Sequence, residues 1–262
     1  MTKRSGLGQA FYLGGYDLSG DTGAANEMGG GVAGTQDVTG IDKSAFERIG
    51  LLRDGRLSWT SFFNPETAAD DPGVTEDRAH VVLSSLPTTD RHLMWRAGPA
   101  SLGGAVACMV GKQIDYNPTR GADGSLTISV QAQANSFGLE WCDLLTAGVR
   151  TDTGATNGAS LDLGTGSTAF GLQAYLQVLS FTGTDATITI QESSDNGAGD
   201  AWANVTGGAF TQVTSGPTAQ RIQTARGQTV ERYLRVATTT SGGFSNLEFV
   251  VGVARNSVEV LF

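Results

Sequence analysis

Apolar and polar residues alternate along several short segments of this chain, which is the pattern of half-buried β-strands. In residues 126–134, Leu, Ile, Val and Ala positions alternate with Thr, Ser and Gln positions, and Asp123-Gly124 just before them is a hairpin-turn signal. Residues 105–134 are therefore predicted to form a long antiparallel hairpin. Strands are predicted at residues 9–13, 57–63, 91–96, 105–116, 126–134, 138–149, 172–181, 186–192, 210–213, 220–224, 232–238 and 244–254.

One segment has helical periodicity. In residues 76–86, Ala79, Val82, Leu83 and Leu86 fall on one stripe, Thr75 precedes as a candidate cap, and Pro87 follows as a stop. Residues 44–47 have the spacing of a capping box, which predicts one helical turn there. The glycine-rich stretch 14–40 is predicted to be a loop, and residues 1–8 a flexible arm.

The predicted fold is all-β, with antiparallel strands and one helix, and residues 170–262 are predicted to form an antiparallel β-sandwich. Residues 151–169 are rich in Gly and Thr and are predicted to be a linker between modules at 1–150 and 170–262. The polar Thr, Ser and Gln face of residues 126–134 suits another subunit or a wet channel, and it equally suits an ordinary solvated sheet face.

The chain has 262 residues and a net charge of −9. Such acidity argues against a protein that clamps nucleic acid through phosphate contacts. Cys108 and Cys142, the two cysteines, lie in strand-like segments, which favours buried free thiols and leaves a disulfide open. Neither a signal peptide nor a membrane span is recognised, so synthesis in the cytoplasm is expected.

The candidates for chemistry are weak. His80 and His92 are the two histidines, and no G-x-S-x-G motif accompanies them, so the chain is predicted not to be an enzyme and to need no cofactor. Residues 29–34 match G-x-G-x-x-G, but no helix follows, so a loop is predicted. Residues 194–200 hold several oxygen ligands without calcium-loop spacing, and a hairpin loop is predicted.

The four tryptophans raise the alternative of sugar stacking. Trp59, Trp95 and Trp141 fall within strand patterns and are predicted to lie in the core. Trp202 follows the 194–200 loop and is the candidate for an exposed glycan contact.

The chain resembles the major tail proteins, or tail tube proteins, of long-tailed bacteriophages. The resemblance lies in Y-D-L-S-G (16–20), T-G-I-D-K-S-A-F-E-R-I-G-L-L-R-D-G-R-L-S-W-T-S-F-F (39–63), Q-E-S-S-D-N-G (191–197) and E-R-Y-L-R-V (231–236). It implies a β-sandwich subunit with a flanking helix, assembled into stacked rings, usually hexameric, around a channel for DNA. The second β module is a departure from that plan.

The resemblance also implies where copies meet and which partners they have. Residues 1–8 would form an arm and residues 64–74 a loop between rings, with interface residues Leu7, Gln9, Phe11, Asn64, Pro65, Asp70, Asp71 and Val74. The implied partners are copies of the chain, other tail proteins, and DNA passing without specific binding; the implied location is the virion tail, with assembly in the host cytoplasm. A capsid decoration or minor tail protein, and a glycan-binding module using Trp202, are the alternatives.

Overall fold

The computed structural model describes residues 5–67, 78–86, 88–164 and 166–260, and in these residues the protein is almost entirely antiparallel β-structure. The helix is α1 (Ala79–Ser84). The strands are β1 (Ala10–Leu13), β2 (Tyr16–Asp17), β3 (Thr22–Val32), β4 (Thr35–Asp37), β5 (Arg48–Gly50), β6 (Arg53–Phe62), β7 (Arg91–Arg96), β8 (Ala105–Gln113), β9 (Asn117–Arg120), β10 (Leu126–Ala134), β11 (Glu140–Leu144), β12 (Arg150–Asp152), β13 (Leu161–Asp162), β14 (Leu172–Gly183), β15 (Thr187–Ser193), β16 (Ala203–Ala209), β17 (Thr218–Gln223), β18 (Tyr233–Thr239) and β19 (Phe244–Arg255).

The amino-terminal half is a sandwich of two layers. Strands β3, β6 and β10 form one layer, and β1, β7 and β8 form the other, with β8 also pairing to β10 at one end. Alternate residues of the two layers meet in one apolar core, where Trp59 on β6 lies against Phe11 on β1 with ring centroids 4.7 Å apart. Ala79, Val82 and Leu83 of α1 pack into the same core.

The carboxyl-terminal half is a second sandwich. Strands β17, β14, β19 and β12 form one layer, and β13, β18, β15 and β16 form the other. Buried Val, Leu, Ile and Phe side chains from both layers make its core. The two halves share one continuous sheet, because β11 pairs with β8 on one side and with β19 on the other.

Several predicted elements are confirmed. The all-β antiparallel class is confirmed, and β7 and β10 have the predicted bounds. The predicted long hairpin over residues 105–134 is wrong, because β8 and β10 pair only between residues 111–113 and 132–134, and the Asp123-Gly124 turn joins β10 to the short strand β9. The thiols of Cys108 and Cys142 are both free and buried. Strand β12 overlaps the start of the predicted linker and β13 lies within it, and the division into domains stays a prediction.

The predicted loop at 14–40 is wrong, because residues 22–32 form the long strand β3. Its Gly and Ala residues offer little apolar surface of their own. Strand β3 is therefore stabilised by its backbone pairing with β6 and by the large side chains of β6. The strand also needs small residues: a Cβ on Gly30 would lie 3.2 Å from the Leu139 Cβ. Residues 29–32 of the G-x-G-x-x-G match belong to this strand.

The predicted helical turn at 44–47 is also wrong. These residues lie at the tip of the β4–β5 hairpin, where the Glu47 N–H donates to Thr39 Oγ1 at 2.8 Å and the Val38 N–H donates to the Glu47 carbonyl at 2.9 Å. These cross-hairpin bonds use the same backbone groups that a helical turn would need.

Helix α1 is shorter than predicted. Arg78 is extended (φ −90°, ψ 176°), so the helix begins at Ala79, whose N–H donates to Asp21 Oδ2 at 3.1 Å. Thr75, Glu76 and Asp77 lie outside the described residues. Leu86, predicted on the buried stripe, follows the helix with φ 42° and is 46% exposed. Residues 210–213 do not form the predicted strand. The strand in this region is β16, which ends at Ala209, and Val213 makes an isolated bridge to Ala186.

Candidate subunit interface

The β4–β5 hairpin leaves an unusual amount of apolar side chain in solvent. Its strands pair in the register Thr35↔Gly50 to Asp37↔Arg48, and every residue of both strands is exposed. Seven of the fifteen exposed large apolar residues in the described chain lie in this hairpin and the residues flanking it: Val32, Val38, Ile41, Phe46, Ile49, Leu51 and Leu52. Concentrated exposure of this kind marks an interaction surface.

Polar contacts hold the hairpin in shape. Asp37 accepts a hydrogen bond from the Thr39 N–H at 2.9 Å, and the hydrogen bond from the Thr39 hydroxyl lowers the pKa of the Asp37 carboxyl. Lys43 Nζ lies 3.5 Å from Glu47 Oε1, and the Arg48 guanidinium lies 4.7 Å from the Phe46 ring centroid. The tip is therefore ordered by its own polar groups, while its apolar side chains face outward.

An apolar groove lies at the base of the hairpin. Its volume is about 930 Å³. The wall combines the start of β6, the turn between β10 and β11, the turn after β17 and the segment after β19: Leu51, Leu52, Arg53, Ala134, Ser136, Phe137, Gly138, Glu140, Arg226, Val258, Glu259 and Val260. Leu51 and Leu52 belong both to the hairpin base and to the groove.

Phe137 in this wall is supported by a buried polar cluster. Arg221 Nη2 lies 2.9 Å from Glu140 Oε1, the Tyr175 hydroxyl donates to Glu140 Oε2, and the Arg221 guanidinium lies 3.7 Å from the Phe137 ring centroid. Burial, then the Glu140 charge, raises the pKa of Tyr175 well above its usual range. Burial opposes the charge of Arg221, but the hydrogen bonds and electrostatic interactions with Glu140 and Tyr175 together outweigh it and raise the pKa of Arg221. Arg221 and Glu140 thus form a persistent ion pair.

The sheets end in open edges. Within the described residues, β3 and β17 are the terminal strands of the path that runs through the thirteen-stranded sheet. An edge strand presents N–H and C=O groups that can pair with another chain.

The interface residues implied by the resemblance are scattered. Leu7 is 89% exposed, whereas Phe11 is 1% exposed and lies in the core between Trp59 and Trp95. Gln9 Oε1 accepts a hydrogen bond from Trp95 Nε1 at 3.1 Å.

The residues implied for a loop between rings are only partly described. Asn64 Nδ2 donates to Asp21 Oδ1 at 3.0 Å, and Pro65 is exposed. Asp70, Asp71 and Val74 lie outside the described residues.

Two tryptophans differ in exposure from the sequence prediction. Trp141 was predicted to be buried and is 54% exposed, because its neighbours Glu140 and Cys142 take the other face of β11. Trp202, the candidate glycan contact, is half-buried, and the Arg235 guanidinium lies 4.4 Å from its ring centroid. One face of the Trp202 ring is therefore occupied within the chain.

The histidines have structural contacts. His80 Nδ1 lies 2.6 Å from the Tyr116 hydroxyl, and its ring stacks near Phe63. Burial lowers the pKa of His92. Among the described residues no three His, Cys, Asp or Glu side chains cluster as metal ligands, and no helix there has the length and hydropathy to cross a bilayer. Residues 194–200 connect β15 to β16 and form the predicted hairpin loop.

The apolar residues of the hairpin were not singled out from the sequence as an interface. The signal was available: Ile41, Phe46, Ile49, Leu51 and Leu52 stand in a stretch that has neither strand alternation nor a helical stripe. Apolar residues with no period have no internal face to occupy.

Comparison with known proteins finds no match among family models and no significant match among curated proteins. Several solved structures match this chain, two from phages among them. One is the Dit protein (gp 19.1) of SPP1, described as a paradigm of the hub adsorption apparatus in phages that infect Gram-positive bacteria, with 11% identity, a TM-score of 0.32, and coverage of 94% of this chain and 99% of that one. The other is the baseplate of phage p2 in its activated conformation with Sr, with 10% identity, a TM-score of 0.31, and coverage of 95% and 99%. At such low TM-scores neither similarity is evidence for a function.

Proposed function

We propose that this chain is a structural protein of a bacteriophage tail, and that within the tail it is a ring-forming subunit of the tube through which DNA leaves the virion. The sequence patches at 16–20, 39–63, 191–197 and 231–236 support the tail assignment through their resemblance to tail tube proteins. The exposed β4–β5 hairpin is the observation that carries the assembly role.

The β4–β5 hairpin has little stability of its own. A two-stranded hairpin is marginally stable on its own in water, and exposed apolar side chains gain free energy only when another surface covers them. Side chains such as Ile41 at 109% and Phe46 at 69% exposure gain little from folding of the monomer. Burial against a neighbouring subunit supplies the missing stabilisation.

A ring of copies suits the remaining surfaces. The free edges of β3 and β17 differ in sequence and lie at opposite ends of one sheet path, so contact between them is heterologous and closes a ring when the rotation between subunits permits. A net charge of −9 per subunit would repel DNA and let it slide through a channel. The proposed partners are copies of the chain and other tail proteins, without a membrane.

We further propose that the subunit works without catalysis or a cofactor. His80 and His92, the candidates for a general base, contribute to packing and hydrogen bonding inside the subunit. This part of the proposal is tested by the same purified protein: turnover of a substrate by assembled rings would contradict it.

The hairpin provides the test. Purified wild-type protein is expected to form rings or tubes at high concentration in virion-like salt, seen by negative-stain electron microscopy and by light scattering. The variant Ile41→Ser/Phe46→Ser is expected to stay monomeric, because its tip no longer offers apolar surface, and to keep the wild-type melting temperature. Ile114→Ser, which changes a 52% exposed residue outside the hairpin, is the matched control and is expected to assemble.

The outcomes separate the alternatives. A wild-type chain that stays monomeric under all these conditions would count decisively against ring formation. Binding of the monomer to capsid shells in place of self-association would instead favour a decoration protein.

A further inference from the structure

We infer that the apolar groove beneath the hairpin is the receptor for the hairpin tip of a second copy. The inference rests on the proposed function and adds the two surfaces that meet: the tip residues 37–48 of one subunit and the groove of the next. The tip side chains that enter are Ile41 and Phe46. The groove walls that receive them are Leu51, Leu52, Phe137, Val258 and Val260.

The chain's own tip does not occupy this groove. Ile41 is 109% and Phe46 is 69% exposed, and neither lines the groove, although Leu51 and Leu52 at the base of the same hairpin do. The chain therefore carries an apolar projection and an apolar cavity at separate places. A second copy offers the projection that fits the cavity.

The sizes of the two surfaces agree. A volume of about 930 Å³ is at the upper end of the range for cavities that enclose a drug-sized ligand, roughly 300–1,000 Å³. Two large side chains and the turn between them are of that scale. The Phe137 wall is held rigid by Arg221 behind it, so the groove is formed before the tip arrives.

Charge supports the same occupant. Residues 37–48 at the tip carry three acidic and two basic side chains: Asp37, Asp42, Glu47, Lys43 and Arg48. The mouth of the groove carries two arginines, Arg53 and Arg226, against Glu259, while Glu140 is neutralised by Arg221. A basic mouth is notable on a chain with net charge −9, and it complements the acidic tip.

The geometry has a consequence for assembly. Each subunit uses its tip on one neighbour and its groove on another, so the contact is heterologous and continues from subunit to subunit. Bonding of this kind produces the closed ring of the proposed function, whereas a reciprocal exchange of two tips stops at a dimer.

Site-directed cross-linking tests the contact. Tagged Phe46→Cys protein is mixed with untagged Val258→Cys protein, assembled, and treated with a short bis-maleimide; the native Cys108 and Cys142 are buried and stay unreactive. A tagged–untagged cross-link is expected. A mixture of Phe46→Cys with Ile114→Cys, an exposed position outside the groove, is expected to give at least tenfold less product.

A second variant covers the case in which the bis-maleimide cannot span the two introduced cysteines. Val258→Asp puts a charge on the rim of the groove at a residue that is 64% exposed, so the fold is retained and assembly is expected to need at least tenfold more protein. Rings that form without the Phe46–Val258 cross-link and tolerate Val258→Asp would overturn the groove inference and leave the proposed function standing. A cross-linked dimer without rings would support the groove and contradict the tube, and a persistent monomer without cross-links would overturn both.

Discussion

At the scale of single residues, the ion pair between Arg221 and Glu140 places two charges out of water. The Arg221 side chain is 4% exposed and the Glu140 side chain is 11% exposed, so both charges have lost most of their hydration. Two hydrogen bonds join them, and the Tyr175 hydroxyl donates a third to the carboxylate. Desolvation is offset only while both charges are present.

We therefore expect Arg221→Met to destabilise the fold by about 3–5 kcal/mol, because it leaves Glu140 as a buried charge without compensation. The double variant Arg221→Met/Glu140→Gln is expected to recover much of that loss. Urea unfolding followed by circular dichroism measures both free energies. Arg56→Met is the control: Arg56 is 52% exposed and 3.9 Å from its acidic partner, so its change is expected to stay within about 0.5 kcal/mol. Equal losses in the single and double variants would show that the charge pair is not the cause.

At the scale of elements, sequence periodicity predicts the strands whose own apolar side chains form the core. It misses strands that are stabilised mainly by pairing with a neighbouring strand. Strands β7 and β10 were predicted correctly because their own apolar residues alternate or cluster. Strand β3 was missed because its residues are largely Gly and Ala, and its stability comes from pairing with β6. The tip of the β4–β5 hairpin was misread because a capping-box spacing is local, while the bonds that formed cross the hairpin.

Close packing against Leu139 and Ala134 makes Gly55 of β6 sensitive to substitution. A Cβ on Gly55 would lie 2.6 Å from the Leu139 backbone nitrogen and 3.2 Å from the Ala134 Cβ, and backbone cannot yield cheaply. We expect Gly55→Ala to destabilise the fold by about 1–3 kcal/mol, as overpacking does. Thermal unfolding measures the effect.

Gly20→Ala is the matched control for Gly55→Ala, because nothing lies within 4 Å of a Cβ at that position. It is expected to be neutral or slightly stabilising through the unfolded chain. If Gly55→Ala also proves neutral, the close packing of residues 138–139 against β6 is not required for folding.

At the scale of the whole molecule, the two sandwiches are joined more tightly than a linker would allow. One sheet passes from β8 through β11 to β19, and a third apolar cluster, including Tyr12, Met94 and Tyr175, fills the space between the halves. Sequence patterns and the resemblance to tail tube proteins indicated both sandwiches but not this joint, since pairing between distant strands leaves no local period. The groove was missed for the same reason, because it is assembled from four separate segments of the chain.

Gln177 on β14 connects the halves most directly. Its side chain is fully buried; Oε1 accepts from the Gly15 N–H at 2.7 Å, and Nε2 donates to the His92 carbonyl at 3.0 Å. We expect wild-type protein to unfold in one calorimetric transition. We expect Gln177→Leu to lower the midpoint of that whole transition, because the Gly15 N–H left unpaired costs about 1–3 kcal/mol. The His92 carbonyl keeps its hydrogen bond from the Gly14 N–H.

Gln173, four residues earlier on the same strand, provides the control for Gln177. It is 2% exposed, and its Nε2 has no hydrogen-bond partner among the described residues, so Gln173→Leu removes less bonding and is expected to cost clearly less than Gln177→Leu. Two separate transitions in the wild-type protein would show that the halves unfold independently. A Gln177→Leu midpoint equal to that of Gln173→Leu would show that the Gly15 and His92 bonds do not couple them. A single, shared and Gln177-dependent transition would show that the two sandwiches unfold as one cooperative unit.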